Sequence, residues 1–252
     1  MSSLRLLRNF PCNPAIFAPF RSCYKPTLIS NPSYHINSRR MLLTISQSLD
    51  ESYATHKIVP DVIDKFETQG LLTIEYDNDT TVTLGNTLKV SKTQLKPAIQ
   101  FTLNSPNQDG TVEPVDENDK FLLVMTDPDA PSNSDHKWSE YAHWIVSDLQ
   151  FKSEQASEDS PASITHMLDY NNGVELMPYM GPGPPENTGK HRYVFLLYKQ
   201  DPDAKFVAPS DRPNWGTGIP KSGVRDWIKK HGANSKLLSV NFFYAQNEKN
   251  DK

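Results

Sequence analysis

The stretch Phe121–Ser132, FLLVMTDPDAPS, changes character midway. Five apolar residues run without polar alternation, the pattern of a strand covered on both faces. They lead into Asp127 and Asp129, set two apart and interleaved with Pro128 and Pro131. Proline has no N–H and fixes φ, so a ladder of strand hydrogen bonds stops there. A carboxylate placed at the end of a buried strand is partly desolvated and requires a partner or a proton. Both the fold and the chemistry therefore depend on where Asp127 finds that partner.

Around this stretch lie further β-type runs: LLTIEY (71–76), TVTLG (81–85), AIQFTL (98–103), AHWIVSDL (142–149), VELMPYM (174–180), RYVFLLYK (192–199) and LLSVNFFYA (237–245). Pro, Asn, Asp and Gly clusters separate them, as hairpin turns of an antiparallel sandwich require. Twenty prolines against eleven glycines fit many short strands joined by rigid turns better than a helix bundle. Two helices are expected. In 42–56, Leu42, Ile45, Leu49 and Tyr53 share one face before Pro60 breaks the pattern. In GVRDWIKKHG, Val224, Trp227, Ile228 and His231 do the same. SEQASEDSPAS (153–163) reads as a polar loop. The sum is one mostly-β domain over 41–252, an antiparallel β-sandwich with a few peripheral helices.

Charge is unevenly spread. The first forty residues hold six of the 26 Lys+Arg and none of the 30 Asp+Glu, which leaves 20 basic against 30 acidic side chains in the remainder. So acidic a body does not suit a nucleic-acid partner, since phosphate contacts need clustered cations. The basic leader, 1–40, with Leu4, Leu7 and Phe10 at helical spacing, reads as a mitochondrial transit peptide, as an unstructured tail, or as sequence upstream of a start at Met41. Both cysteines, Cys12 and Cys23, fall in it. The body therefore has neither a disulfide nor a thiolate nucleophile or metal ligand.

Chemistry concentrates in 126–146 and 179–200, each a strand joined to a proline-rich loop. His143 and His191, at the edges of apolar strands, are the natural partners of Asp127, and a carboxylate beside imidazole favours imidazolium. Gly181-Pro182-Gly183 adds backbone donors, and Trp138, Tyr141 and Tyr193 supply an aromatic rim. Such a set suits a small anion, a phosphate ester or a carboxylate. Each group alone has a plainer reading: Asp-Pro-Asp-Ala-Pro as a strand-ending turn, the histidines as satisfied core residues.

Catalytic readings have less support. There is no GxSxG elbow, no HExxH helix and no P-loop, and the prolines of GPGPPENTG remove N–H groups that would cradle phosphate. Pro128 holds the chain extended and allows Asp127 and Asp129 to face one side, yet no nucleophile accompanies them. His136 and His143, seven apart, are not a helical metal pair. No catalytic residue, metal or cofactor is assigned.

Asp127–Pro131 with His143, and Gly181–Pro185 with Gly189–Phe195, resemble the two signatures of the phosphatidylethanolamine-binding protein family. The resemblance covers about residues 42–245, and TDPDAPS, HKWSE, MGPGPP, HRYVFLLYKQ, DRPNWG and NFFYA look most like its fungal branch, which includes inhibitors of vacuolar serine carboxypeptidase. It implies a sandwich of two antiparallel sheets with an anion pocket at one end, built from Asp127, Trp138, His143, Gly181, His191 and Tyr193, with Pro131 shaping the wall. It further implies a non-enzymatic, monomeric binder of phosphate-bearing anions or phospholipid head groups, in peripheral contact with membranes, inhibiting a serine carboxypeptidase and regulating signalling partners. That activity fits a cytoplasmic location, or a vacuolar one alongside the protease. A mitochondrial assembly component remains the alternative if the leader directs import. Relatives commonly carry Tyr and Trp where this chain has Trp138 and Tyr141, and some carry His in place of Ala142. The hydrophilic QNEKNDK after NFFYA takes the place of the C-terminal helix of animal relatives and is expected to fray.

Overall fold

The computed structural model describes residues 38–77, 79–103, 115–116, 118–152 and 165–251. The readings of the leader before residue 38, of Cys12 and Cys23, and of the loop 153–163 lie outside these residues. The strands are β1 (Gly70–Glu75), β2 (Ala98–Leu103), β3 (Phe121–Asp127), β4 (Tyr141–Phe151), β5 (Thr165–Asp169), β6 (Val174–Met177), β7 (His191–Lys199) and β8 (Lys236–Ala245); the helices are α1 (Ser38–Thr55), α2 (Ile58–Asp61) and α3 (Val224–His231). The expected antiparallel, mostly-β architecture is present.

The strands follow the path β1-β2-β5-β4-β3-β7-β8, with β6 on β4, and every pairing is antiparallel. β1, β2 and β5 form one layer, and β6, β4, β3, β7 and β8 the other. The layers join where Gln150 and Phe151 of β4 pair with Asp169 and Leu168 of β5. At the opposite side the two ends of the path are stitched together. Gln69 N donates to Leu238 O (2.8 Å), Ser239 Oγ to Gly70 O (2.7 Å) and Asn241 Nδ2 to Leu72 O (2.8 Å). These bonds leave the sandwich almost closed and barrel-like, which protects edges that would otherwise be open to pairing.

β3 is buried along its whole length because both of its faces are covered. Phe121, Leu123 and Met125, with Tyr193, Phe195 and Leu197 of β7, pack against Leu72, Ile74, Ile99 and Phe101 of the other layer. Leu122 and Val124, with Val194, Leu196 and Tyr198, pack against Leu49 and Tyr53 of α1, Ile58 of α2, and Trp227 and Ile228 of α3. Each of these large side chains contributes about 1.5–3 kcal/mol on burial. The unbroken apolar run in FLLVM is thus the signature of a central strand between two cores.

Three expectations are corrected. TVTLG is not a strand: only Thr81 bridges to Glu75, and the chain then turns through Leu84 and Gly85 at φ 40° and 101°. Asn86 Oδ1 takes the Thr83 N–H and Asn241 Oδ1 takes that of Leu84, so side chains replace the ladder. β5, THMLD, is an additional strand whose short polar sequence lacked an apolar period. The break at Pro60 is present: α1 ends at Thr55, and within the short α2 the residue before the proline, Val59, is non-helical at φ −99° and ψ 120°. The C-terminal stretch does not fray. Asn247 Nδ2 donates to Pro184 O, Asn250 Oδ1 accepts from Asn187 N, Lys249 pairs with Glu186, and Glu248 accepts from Ser91 N.

Candidate functional site

β3 and β7 run antiparallel with Thr126 opposite Val194. One step further places Asp127 opposite Tyr193 and makes His191 its diagonal neighbour, within reach of a side-chain bond. Asp127 Oδ2 accepts from His191 Nδ1 at 2.8 Å, and both side chains are almost fully buried. Asp127 Oδ1 accepts from the Asp129 N–H at 2.7 Å, an Asx-type turn that ends the strand.

The two aspartates do not face one side. Asp129 belongs to Arg192, which binds it through Nε to Oδ2 (3.0 Å) and Nη2 to Oδ1 (2.8 Å). Consecutive residues of a strand point to opposite faces, so His191 and Arg192 draw the two carboxylates apart. Arg192 Nη1 also donates to the carbonyls of His56 and Lys57 and to Asp61 Oδ2. Asp129 therefore fastens the α1–α2 junction to the sheet and takes no part in the pocket.

His191 has a second partner. Its Nε2 lies 3.0 Å from Thr188 Oγ1, whose own proton goes to Pro185 O at 2.8 Å. The hydroxyl is thus placed to accept from Nε2, and the Asp127 carboxylate to accept from Nδ1; donation from both nitrogens is the bonding pattern of an imidazolium. The Asp–His–Thr connectivity is that of a catalytic triad, but the proton runs the wrong way for His191 to activate Thr188 as a nucleophile.

His143 reaches the same place by a different route. Met125 pairs with Trp144 and Thr126 with Ala142, so His143 is the unpaired residue of a β-bulge. A bulge re-aims a side chain, and here it turns His143 to the side of Trp144 and the Asp127 face. Its ring stands edge-on to Tyr193 at 5.1 Å and beside Tyr141 at 5.3 Å. Nδ1 donates to Met180 O at 2.8 Å, while the Met180 N–H donates to His143 O at 2.9 Å. Burial holds the His143 pKa below its ordinary value; Asp127 opposes that shift, and Arg212 and His191 add to it. Arg212 donates to the carbonyls of Ala142, His143 and Pro178, which clamps the bulge to the segment after β6.

The glycine-proline loop closes this end. A Cβ on Gly181 would stand 2.9 Å from Gln94 Cα, closer than side chains tolerate. Only glycine lets Gln94 cross there and donate from Nε2 to Pro182 O at 2.9 Å. The Gly183 backbone hydrogen-bonds the Tyr193 hydroxyl, whose pKa burial raises well above its ordinary value. Gly183 is exposed and Met180 is 41% exposed, so the group opens to solvent on this side.

Asp127, His143, His191 and Tyr193 thus come together, with Gly181 packing the loop behind them. Pro131 is half-buried at the head of the Ser132–Asp135 turn, on the far side of Asp129. Trp138 is 43% exposed, its ring carries Lys137 Nζ at 5.6 Å, and its backbone N–H donates to Ala130 O at 3.3 Å. Thr188, Arg192 and Arg212 were not read as functional from sequence. Arg192 had one visible signal, its place beside His191 in HRYVF, whereas the partners of Thr188 and Arg212 are set by loop geometry.

A third buried carboxyl lies on the opposite face of the β3 end from Asp127. Glu140 Oε2 accepts from Thr126 Oγ1 (3.0 Å) and from the Val224 N–H at the start of α3 (3.4 Å), and Thr126 in turn accepts from Trp215 Nε1 (3.2 Å). Burial pushes its pKa up to about 8. It belongs to the docking of α3 and stands outside the pocket.

A family model described as phosphatidylethanolamine-binding protein matches residues 68–243. Carboxypeptidase Y inhibitor of Saccharomyces cerevisiae is 43% identical over 216 residues, covering 81% of this chain and 97% of that protein. The crystal structure of carboxypeptidase Y inhibitor complexed with the cognate proteinase gives a TM-score of 0.71 at 41% identity, covering 80% of this chain and 96% of that one. A phosphatidylethanolamine-binding protein from Plasmodium vivax gives a TM-score of 0.58 at 22% identity over 78% of this chain and 96% of its own, a likeness of fold.

Proposed function

This chain belongs to the phosphatidylethanolamine-binding protein family, and on that premise we propose that it is a non-enzymatic inhibitor of a serine carboxypeptidase, with a pocket for small anions at the end of its sandwich. The observation that carries the inhibitor reading is the 43% identity with carboxypeptidase Y inhibitor across 97% of that protein. The fold match to the same inhibitor in complex with its proteinase adds support. The chain acts as a monomer, and the N-terminal segment that begins near Met41 enters the protease. Removal of the leader near Arg40, or a start at Met41, gives that segment access.

In the pocket, His191 acts through its charge. Its ring nitrogens are held by Asp127 and Thr188, so it orients and balances the carboxylate without an N–H to spare for the ligand. His143 Nε2 and the Tyr193 hydroxyl are the groups left to meet an anion. Exposed Met180 beside this mouth, and Trp138 further out, offer apolar footing on a bilayer from which a phospholipid head group is drawn. The set lacks an activated nucleophile, which supports binding without turnover.

The test is inhibition of purified carboxypeptidase Y by the full chain and by a form starting at Met41. Inhibition at micromolar or lower concentration by the shorter form, weakened in the longer, is the expected result. No inhibition by either form removes the inhibitor reading.

The charge of the leader favours a second reading, that the protein is a mitochondrial assembly component. Its six basic and no acidic residues suit import. Otherwise it is cytoplasmic, or vacuolar together with its protease. Mapping the N-terminus of the protein recovered from cell fractions distinguishes these: a mitochondrial form cleaved near residue 40 supports import, and a cytosolic form starting at Met1 or Met41 overturns it.

A further inference from the structure

His143 presents the pocket with a lone pair. Met180 O can only accept, so the proton of the neutral ring is fixed on Nδ1 by the 2.8 Å bond between them. Nε2 is then a bare acceptor. No described residue bonds it, and its neighbour Met180 is 41% exposed. An oxyanion is also an acceptor. Two acceptors cannot face each other at hydrogen-bond distance, so an anion entering here meets repulsion unless a proton comes between them.

The surroundings decide which state the ring holds when the pocket is empty. The groups that face it are Asp127 from β3, His191 and Tyr193 from β7, Tyr141 from β4, and Arg212 with the Met180 carbonyl from the flanking loops. Asp127 would favour a cation, but its charge already serves His191 at 2.8 Å. Arg212, bonded to the His143 carbonyl at 3.0 Å, places a second positive charge close by. Burial and these cations keep His143 neutral, in agreement with the downward direction of its pKa. A bound anion reverses the balance, because it supplies the negative charge that Asp127 gives to His191.

We propose that the pocket takes up its oxyanion together with one proton, held between His143 Nε2 and a ligand oxygen. This rests on the anion-pocket reading above and adds a ligand preference to it. A phosphate monoester has a second pKa near 6, so a fraction of it carries its own proton at neutral pH. A phosphodiester has no such proton, and His143 must draw one from solvent. At neutral pH the pocket therefore selects monoesters over diesters, and its affinity for both rises on acidification.

The test uses the full chain with phosphoethanolamine as monoester and glycerophosphoethanolamine as diester, titrated calorimetrically from pH 5.5 to 8.5 in two buffers of different ionisation enthalpy. The diester does not titrate in this range, so it reports the protein alone. The expected result is uptake of close to one proton, with diester affinity falling about tenfold per pH unit at the alkaline end, and loss of that slope in His143→Gln. In wild-type protein, the imidazole resonances of His143 should titrate at a higher pH with diester bound than without, a readout that stands even if the variant does not fold. Binding with no proton uptake overturns the linkage and leaves the pocket reading intact. A slope that persists in His143→Gln overturns the assignment to this residue. No binding of either probe at any pH overturns the pocket and the linkage together.

Discussion

The Arg192 guanidinium holds Asp129 by two bonds, 3.0 and 2.8 Å long, while the residue before it in β7, His191, holds Asp127. One strand end is thus claimed by two neighbours that point opposite ways. The outcome is a division of labour within DPDAP, in which the first carboxylate pairs with His191 beside Tyr193 and His143 and the second anchors α1 and α2 to the sheet.

Removing that anchor exposes its worth. Asp129→Ala leaves the Arg192 guanidinium buried with only Asp61 and two carbonyls, and an uncompensated buried charge of this kind costs about 3–5 kcal/mol. Urea unfolding should show a loss in that range. Asp61→Asn, at the wetter end of the same network, should cost below about 1 kcal/mol. Equal losses from the two changes would contradict the assignment of Asp129 as the principal partner.

The protons of His191 can be seen directly. Nitrogen-15 spectra of the full chain at pH 7 should give both ring nitrogens of His191 the shifts of an imidazolium, whereas His143 should show one protonated nitrogen and one bare. Thr188→Val removes the acceptor for Nε2 and should destabilise the fold by about 1–3 kcal/mol, the usual effect of an unsatisfied buried donor. A neutral His191 in the wild type would refute the proton direction read from Thr188 and Pro185.

Glu140 imposes a pH dependence with a definite sign. Its folded pKa of about 8 lies above the ordinary 4.5, so the folded state binds the extra proton between those values. The associated stability is fully present below pH 4.5 and is lost as pH rises through 8. Unfolding midpoints at pH 5, 6.5 and 8 should decline, by up to a few kcal/mol in total at roughly 1.4 kcal/mol per pKa unit. Glu140→Gln should flatten the decline, and the difference between the two proteins cancels the contributions of other groups. A parallel pair of curves would show that this carboxyl titrates normally.

The tail supports a further measurement. Deleting residues 247–252 removes the bonds to Pro184, Asn187 and Glu186. Hydrogen exchange of the 183–190 amides should accelerate several-fold, with the β3 and β7 amides unaffected. Unchanged exchange in the loop would mean that its prolines alone hold it.

Much of this architecture is legible before any coordinates. FLLVM and RYVFLL announce central strands because nothing polar interrupts them, and the two signatures around Asp127 and His191 identify the family. Less legible is anything that depends on register. That His143 is a bulged residue follows from how β4 lies against β3, and AHWIV reads the same with or without the bulge. TVTLG has the composition of a strand but is spent on a turn fixed by Asn86 and Asn241, which lie 155 positions apart in the chain. The proton inventory of the pocket was likewise hidden, since it is decided by the carbonyls of Met180 and Pro185, and carbonyls look alike in any sequence.

The docking of the last turn on the glycine-proline loop has a practical corollary. Anything joined behind that turn, whether an affinity tag, a fluorescent protein or a tether to a sensor surface, starts a few residues from the contacts with Pro184, Glu186 and Asn187. Ligand affinities measured on such fusions report the attachment as well as the protein, and the two are separated by using untagged material.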